Sequence, residues 1–266
     1  LGAMEGENGA AARIARAAEA KVSAMAAVGG DERLNDEAVA AARRFPGCVY
    51  PAIGYDRDEA ETLAATTDSL KEAVTTLEAR IRQLEADGIR VAAVGEIGLD
   101  FHYKPESANL QRALFQAQLA AARRLGKPVI VHSREAEEAT LAALADHRRA
   151  WTGAADRIGV VHCFTGGLDF ARGLLDEGFL VGFSGILTFR NADALRRVAG
   201  ETPLGRVLIE NDTPFLAPVP KRGQPNEPAF VVYVAQTLAD IHRVPVESVA
   251  AMTRENAANF FGAPSP

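Results

Sequence analysis

Short apolar runs alternate with longer amphipathic segments along the whole of the 266-residue chain. The runs are rich in β-branched residues, which is typical of strands buried in a parallel sheet. They predict strands at 22–29, 48–54, 90–97, 128–133, 158–163, 179–184 and 206–212. The segments between and after them predict helices at 8–20, 34–45, 58–88, 108–126, 134–149, 168–178, 191–199, 228–242 and 246–261.

This order of elements predicts an α/β fold with a parallel sheet. Each strand is joined to the next through a helix, as parallel neighbours require, and no linker rich in Pro, Gly or Ser interrupts residues 1–266. The chain length suits a single-domain (β/α)8 TIM-type barrel, which closes with eight strands. We expect the missing first strand to lie in a native segment before Leu1. The alternative is a shortened chain in which Gly2-Ala3-Met4 is a cloning remnant.

Four of the predicted strands run into a residue that can bind a metal ion. Glu96 follows the apolar run of the third strand, His132 and His162 follow those of the fourth and fifth, and Asp212 closes the seventh. Because the chemistry of a parallel barrel lies at the carboxyl ends of its strands, we expect these side chains to converge on one rim. Two imidazoles and two carboxylates suit a divalent metal ion.

Composition and charge narrow the class of protein. Apolar residues make up 48% and charged residues 24% of the chain, as in ordinary globular proteins. No apolar stretch approaches the roughly 20 residues that span a bilayer, and nothing resembles a signal peptide, so a cytoplasmic location is expected. The net charge of −6 argues against an extended duplex-binding surface but permits a pocket that accepts one phosphodiester.

Several longer motifs resemble the TatD family of metal-dependent deoxyribonucleases. They are Val94–Asp100, Pro128–Ala136, His162–Gly166, Gly182–Gly185, Glu210–Pro218, Arg222–Gly223, Asn226–Pro228 and Thr253–Gly262. Together they cover most of the chain from residue 90 onward, whereas the residues up to 60 match only loosely. The resemblance implies an amidohydrolase-type (β/α)8 barrel, a divalent metal ion at its rim, and hydrolysis of phosphodiester bonds, often at a DNA 3′ end.

The resemblance also implies roles for the four strand-end residues. Glu96 becomes a carboxylate ligand that can bridge two ions, His132 and His162 become imidazole ligands, and Asp212 becomes a ligand that also takes a proton from the attacking water. A divalent ion suits this chemistry because it lowers the pKa of water and neutralises charge on phosphoryl oxygens. Glu210, two positions before Asp212, would support the ligands as a hydrogen-bonding partner.

Two departures from the family pattern bear on the substrate. The family begins with a strand that ends in His-x-His, and this chain contains no such motif. The family also carries a Gly-x-His-Pro motif where this chain has Gly54-Tyr55-Asp56-Arg57-Asp58. A carboxylate near a phosphate adds repulsion unless a cation intervenes. Asp56 is therefore expected either to approach the metal ion or to force a different substrate, and our hypothesis is that it weakens the binding of a second phosphate.

Further residues of the rim are expected to contact substrate. Arg134, Asn226 and Glu227 lie in matched motifs on rim loops, where substrate contact is favoured over a structural role. His102 lies on the rim just beyond Asp100, and for this residue contact with substrate and simple loop packing are equally expected.

Three polar residues favour structural interpretations. Asp100 is expected to accept hydrogen bonds within its own loop. His147 and His242 lie on helical segments flanked by charged residues, so exposed side chains or helix-end caps account for them.

The leading hypothesis is a cytoplasmic deoxyribonuclease of the TatD type that acts on single-stranded DNA in the 3′ to 5′ direction. It would use one or two divalent ions, Mg²⁺ ahead of Zn²⁺ or Mn²⁺, with DNA as its substrate and with neither a membrane nor a protein partner implied. Two alternatives stay open. One is another amidohydrolase-type enzyme that hydrolyses a lactone or a small phosphoester. The other is a barrel that has lost catalysis and serves as a binding or scaffold protein.

Overall fold

The computed structural model of the protein describes residues 6–66 and 69–262. Within these ranges there are seven strands, each at a place where an apolar run predicts one. They are β1 (Met25–Val28), β2 (Val49–Ile53), β3 (Ala93–Asp100), β4 (Val129–Arg134), β5 (Gly159–Val161), β6 (Leu180–Phe183) and β7 (Val207–Ile209). The segment expected before Leu1 lies outside the described residues.

Ten α-helices lie between and after these strands in the described ranges. They are α1 (Gly6–Glu19), α2 (Glu32–Arg44), α3 (Glu59–Thr66), α4 (Leu70–Ala86), α5 (Ala108–Leu125), α6 (Glu137–Arg149), α7 (Leu168–Asp176), α8 (Asp193–Glu201), α9 (Val231–His242) and α10 (Val246–Phe261). The single helix predicted at 58–88 is wrong, because Ser69 begins a new helix there by accepting the N–H of Glu72. None of the helices in the described ranges is long and apolar enough to cross a membrane.

The chain divides into two compact units. One is Ala26–Gly159, referred to below as the central unit, and the other combines Leu1–Met25 with Val160–Pro266, referred to as the terminal unit. The central unit contains β2, β3, β4 and nearly all of β1, whereas the terminal unit contains β6, β7 and most of β5. A single domain over residues 1–266 stays a prediction.

In the central unit the strands neighbour one another in chain order, β1–β2–β3–β4, and β3 pairs in parallel with both β2 and β4. Between Val94 and Ile97, β3 contains one residue more than the facing part of β4. Such a bulge bends a strand and turns a side chain to a new direction. Glu96 lies in this bulge, and β3 continues to Asp100 rather than ending near residue 97, as the sequence predicts.

In the terminal unit β5, β6 and β7 also follow one another in chain order, and both pairings are parallel. Val181 at the middle of β6 is fully buried and faces Val161 on one side and Val207 on the other. Strand β7 ends at Ile209, although the sequence predicts a strand that continues to residue 212. Asp212 therefore lies in a loop beyond the strand.

Two buried glutamines of α5 hold the chain where strands end. Gln111 accepts the backbone N–H of Asp100 at 2.8 Å and donates to its carbonyl at 3.0 Å. Gln118, on the same face of the helix two turns later, forms the same pair of bonds with Tyr55. Because buried backbone groups need hydrogen-bonding partners where no strand supplies them, these amides fix the positions of both segments.

His147 of α6 is fully buried, so the predicted exposure of this residue is wrong. Its ring lies 5.5 Å from that of Trp151, and its Nδ1 lies 3.1 Å from Nη1 of Arg123. Burial lowers the pKa of His147 to about 4, and the charge of Arg123 acts in the same direction. Flanking charged residues suggest a solvent-facing histidine, but the rotation of α6 against its neighbours turns this side chain inward.

Candidate metal centre

Glu96 and His132 lie side by side on neighbouring strands of the central unit. Nδ1 of His132 is 3.5 Å from Oε1 of Glu96, and both side chains are largely buried. The second ring nitrogen of His132, Nε2, is 3.1 Å from Oδ2 of Asp100. One imidazole is thus held between two carboxylates, with one ring nitrogen directed to each.

Asp100 is a buried carboxylate whose two oxygens have different partners. Oδ1 accepts the backbone N–H groups of His102 at 3.0 Å and Tyr103 at 2.9 Å, as predicted for an acceptor in this loop. Burial raises the pKa of Asp100, but the hydrogen bonds from the N–H of Tyr103 and from the His132 side chain outweigh this effect. The pKa is lowered overall, so the carboxylate stays charged. A charged acceptor at Nε2 favours the tautomer of His132 that carries its proton there and keeps the Nδ1 lone pair on the side of Glu96.

Gly98 allows β3 to pass close to His132. It lies opposite His132 in the pairing of β3 with β4, and its φ is +140°. A Cβ atom on this residue would come within 2.1 Å of the carbonyl oxygen of His132. Residue 98 is therefore glycine for a steric reason, since any side chain there would push β3 and β4 apart.

Arg57 lies against Glu96 in the segment that departs from the family pattern. Its Nη1 is 2.8 Å from Oε1 of Glu96 and 3.7 Å from Oδ2 of Asp56, and its Nη2 is 3.5 Å from Oδ2 of Asp58. Burial raises the pKa of Asp56 to about 6, although the charge of Arg57 opposes this shift and that of Glu96 adds to it. Sequence analysis missed Arg57, although its place beside Asp56 was a usable signal. A direct contact of Asp56 with metal or substrate stays a prediction.

The loop after β3 carries an exposed aromatic ring that sequence analysis also missed. Tyr103 is 65% exposed, and the guanidinium of Arg134 lies 4.8 Å from the centre of its ring. The ring of His102 meets that of Tyr103 edge-on at 4.6 Å, and its Nδ1 is 2.6 Å from Oε1 of Glu135. Both predicted rim residues, His102 and Arg134, are thus exposed beside a tyrosine that contacts each of them.

In the terminal unit His162 directly follows β5, and Glu210 directly follows β7. Nδ1 of His162 is 3.6 Å from Oε2 of Glu210, whose other carboxylate oxygen accepts the N–H of Cys163. Gly182 of β6 permits this approach, because a Cβ atom there would lie 3.0 Å from Oε1 of Glu210 and 3.1 Å from Cα of His162. Glu210 therefore lies where a supporting partner of His162 would be needed.

Asp212 begins a tight turn beyond β7. Its φ is +50°, in the left-handed region that aspartate tolerates better than most residues, and its carbonyl accepts the N–H of Phe215 at 2.8 Å. Cys163, next to His162, also has a positive φ, of +44°. Such conformations cluster at functional sites, where the surrounding structure holds them in place.

Asn226 and Glu227 hold the loop that contains Asp212. Asn226 is fully buried, and its amide donates to the carbonyl groups of Asn211 and Phe215. Glu227 accepts two hydrogen bonds of 2.9 Å from Nε of Arg16 in α1. Both side chains thus have structural roles, and their contact with substrate stays a prediction.

The donors within each unit fit a divalent metal ion. His132 and His162 each have a carboxylate beside Nδ1, and the far nitrogen of His132 has a second carboxylate, which is how metal-binding histidines are commonly oriented. Imidazole nitrogen and carboxylate oxygen suit the borderline divalent ions. Together with the parallel α/β fold, this chemistry defines the class of an α/β protein with a candidate divalent-metal centre.

Residues 4–262 match the profile of the family described as TatD related DNase. The chain belongs to the TatD family.

Relatives of the chain carry names that agree with this class. The protein YcfH of Escherichia coli (strain K12), named as an uncharacterized metal-dependent hydrolase, is 46% identical over 181 residues, which cover 68% of this chain and 66% of YcfH. That match spans just under two thirds of the length of YcfH. An Erwinia amylovora protein named 3′-5′ ssDNA/RNA exonuclease TatD is 32% identical over 254 residues, which cover 94% of this chain and 92% of the relative.

A solved structure agrees with the fold. YJJV, a TatD homologue from Escherichia coli, has a TM-score of 0.84 and 28% identity to this chain, over 97% of this chain and 93% of YJJV. The predicted fold class is thereby confirmed as an α/β fold of the (β/α)8 TIM type, with seven strands among the residues that the structure describes.

Proposed function

We propose that the chain is a metal-dependent deoxyribonuclease that removes nucleotides from the 3′ ends of single-stranded DNA. The observation that carries this substrate is the exposed ring of Tyr103, with the guanidinium of Arg134 4.8 Å away. An aromatic surface beside a cation is how proteins bind single-stranded nucleic acid without reading its sequence. The name of the Erwinia amylovora relative supports the same class of substrate.

Glu96, His132, His162 and Asp212 are the proposed ligands of one or two divalent ions, with Mg²⁺ ahead of Zn²⁺ or Mn²⁺. Membership of the TatD family supports this set, as does the imidazole–carboxylate pair that each unit contains. When bound, such an ion lowers the pKa of water and neutralises charge on the phosphoryl oxygens.

The residues of the chain have separate tasks in this proposal. Asp212 accepts the proton of the attacking water, which is the role of a positioned general base. Glu96 would supply a carboxylate to hold the metal. Asp100 holds the ring of His132, and Glu210 holds that of His162, so that each imidazole keeps its orientation.

The base of the terminal nucleotide stacks on Tyr103 in this proposal, and Arg134 donates to a neighbouring phosphate. Stacking of a base on an aromatic side chain is worth about 1–3 kcal/mol. The N–H of Tyr103 bonds to Asp100, which in turn bonds to His132. The backbone of Tyr103 is therefore tied to a proposed metal ligand, and the guanidinium of Arg134 contacts its ring.

Release of nucleotides from a single-stranded oligonucleotide tests the proposal. We expect activity that EDTA abolishes and that an added divalent ion restores. Tyr103→Ala should raise the KM about 10-fold for an ordinary 3′ end, and Tyr103→Phe should keep the wild-type value. For an oligonucleotide whose 3′-terminal residue is abasic, neither substitution should change the KM much, because there is no base to stack on residue 103.

Tyr50→Ala is the matched control, since Tyr50 also has an arginine guanidinium, that of Arg90, near its ring, at 6.0 Å, but lies at the start of β2. Chelator-sensitive hydrolysis of small phosphoesters or lactones, without any release of nucleotides, would instead support another amidohydrolase-type activity. Absence of both activities in protein that binds divalent ions would contradict the proposal and favour a binding role.

A further inference from the structure

Arg57 is a largely buried cation in a cluster of acidic side chains. Its side chain is 21% exposed, and its guanidinium faces the carboxylates of Asp56, Asp58 and Glu96 at 3.7, 3.5 and 2.8 Å. One positive charge thus faces three negative charges. Lys104 compensates the outer part of the cluster, since its Nζ is 3.7 Å from Asp58 and 3.5 Å from Glu61.

The position of Arg57 conflicts with the proposed role of Glu96 as a metal ligand. The carboxylate that would bind the ion already has one oxygen, Oε1, at 2.8 Å from Nη1 of Arg57. A divalent cation and a guanidinium that share one carboxylate as a partner repel each other, because both are positively charged. Binding of a metal ion to Glu96 therefore weakens the hold of Glu96 on Arg57.

A phosphate removes this conflict, because it offers oxygens to both cations. The guanidinium presents planar N–H donors that match two phosphate oxygens at once. Asp56 stays near the same Nη1 and Asp58 stays near Nη2, so Arg57 remains close to Glu96 when that carboxylate turns to a metal ion. The arginine is thus held ready beside the place where the reacting phosphate must lie.

We propose that Arg57 binds the phosphate of the substrate, and that Glu96 holds its guanidinium until the metal ion and the phosphate enter. This inference rests on the proposed phosphodiester chemistry. It assigns phosphate recognition to a position where the family pattern has no arginine. It also explains how Asp56 can stand near a phosphate, because Arg57 supplies the cation that offsets the carboxylate.

The inference predicts that loss of Arg57 changes the affinities for a metal ion and for phosphate in opposite directions. In Arg57→Gln, the affinity for Mn²⁺ should rise about 5-fold, because a competing cation is gone. The affinity of the Mn²⁺-loaded protein for inorganic phosphate should fall about 10- to 100-fold, the usual loss for a hydrogen bond to a charged group. Arg57→Lys should have affinities between those of the wild type and of Arg57→Gln, because an ammonium is a point charge without the planar fork. Both affinities are measured by titration calorimetry.

Arg80→Gln is the control, because Arg80 is also a largely buried arginine of the central unit with two acidic partners, Glu32 and Asp36, and it should change neither affinity. A purely structural Arg57 would lower the melting temperature without moving the two affinities in opposite directions. Unchanged phosphate affinity in both Arg57 variants, or no phosphate binding by the wild type, would overturn the inference. Because phosphate is titrated without DNA, failure to cleave oligonucleotides would count against the proposed function alone.

Discussion

Asp100 and His132 are joined by a contact of 3.1 Å between Oδ2 and Nε2, on two neighbouring strands. The charged oxygen of Asp100 requires a proton on Nε2, and this leaves the lone pair of Nδ1 directed toward Glu96. The orientation and the tautomer of the histidine thus depend on a residue that the sequence suggests only as a loop acceptor. Replacement of the Asp100 carboxylate by an amide tests whether Asp100 sets the tautomer of His132.

Asp100→Asn should weaken metal binding about 10- to 100-fold, the usual effect of removing such a partner. The amide can still accept the N–H groups of its loop, but its own N–H₂ would face Nε2 and favour the tautomer with the proton on Nδ1. Titration with Mn²⁺ measures the loss. Asp146→Asn, at an exposed site on α6, is the control, and equal affinities in the two variants would remove Asp100 from the site.

Asp212→Asn should lower turnover by about 10²- to 10⁴-fold, because the proposed mechanism loses a ligand charge and its proton acceptor together. The fold should persist, since the carbonyl of residue 212 still accepts the N–H of Phe215. The rate of nucleotide release and the melting temperature are measured on the same preparation. The exposed Asp193→Asn serves as the comparison in the terminal unit. Near-wild-type turnover in Asp212→Asn would contradict the role given to this residue.

Gly182→Ala should destabilise the protein by about 1–3 kcal/mol, as overpacking of a filled site does. The added methyl group would meet Oε1 of Glu210 at 3.0 Å and Cα of His162 at 3.1 Å, and the latter is backbone that cannot move aside alone. Urea denaturation gives the free energy of unfolding. Gly205→Ala, where a Cβ meets nothing within 4 Å, should change it little, and equal values for the two variants would argue against the close packing.

The buried His147 should make the protein sensitive to acid. Its pKa of about 4 lies below the ordinary value of 6.5, so as the pH falls through this window the unfolded chain takes up the proton first. The free energy of unfolding is therefore not reduced by this histidine above about pH 6.5, and it falls progressively as the pH is lowered toward 4. Between pH 7 and 5 the free energy of unfolding should fall by about 2 kcal/mol more in the wild type than in His147→Gln. The same slope in both proteins would contradict this, and His242→Gln, at the end of α9, provides the control.

The period of the apolar residues was enough to predict the seven strands and their places, because burial on both faces of a parallel sheet imposes a continuous apolar run. The helices follow the same logic, and the resemblance of long motifs identified the family. Strand and helix bounds agree to within about three residues, except at the break before Ser69, where two helices replace the one predicted. The cap at Ser69 and the bulge in β3 override the apolar period locally, and neither changes the hydrophobic pattern.

Contacts between residues far apart in the chain could not be derived from the sequence. The bond of Asp100 to His132, the contact of Arg57 with Glu96 and the burial of His147 each depend on how separate segments pack. A local pattern reports which face of an element is apolar, but it does not report which polar group of another segment will meet a given side chain. The sequence therefore showed which residue types are able to bind a metal ion. The tertiary structure decided their tautomers, partners and nearby charges, because pKa and hydrogen bonding depend on atoms within a few ångströms in space.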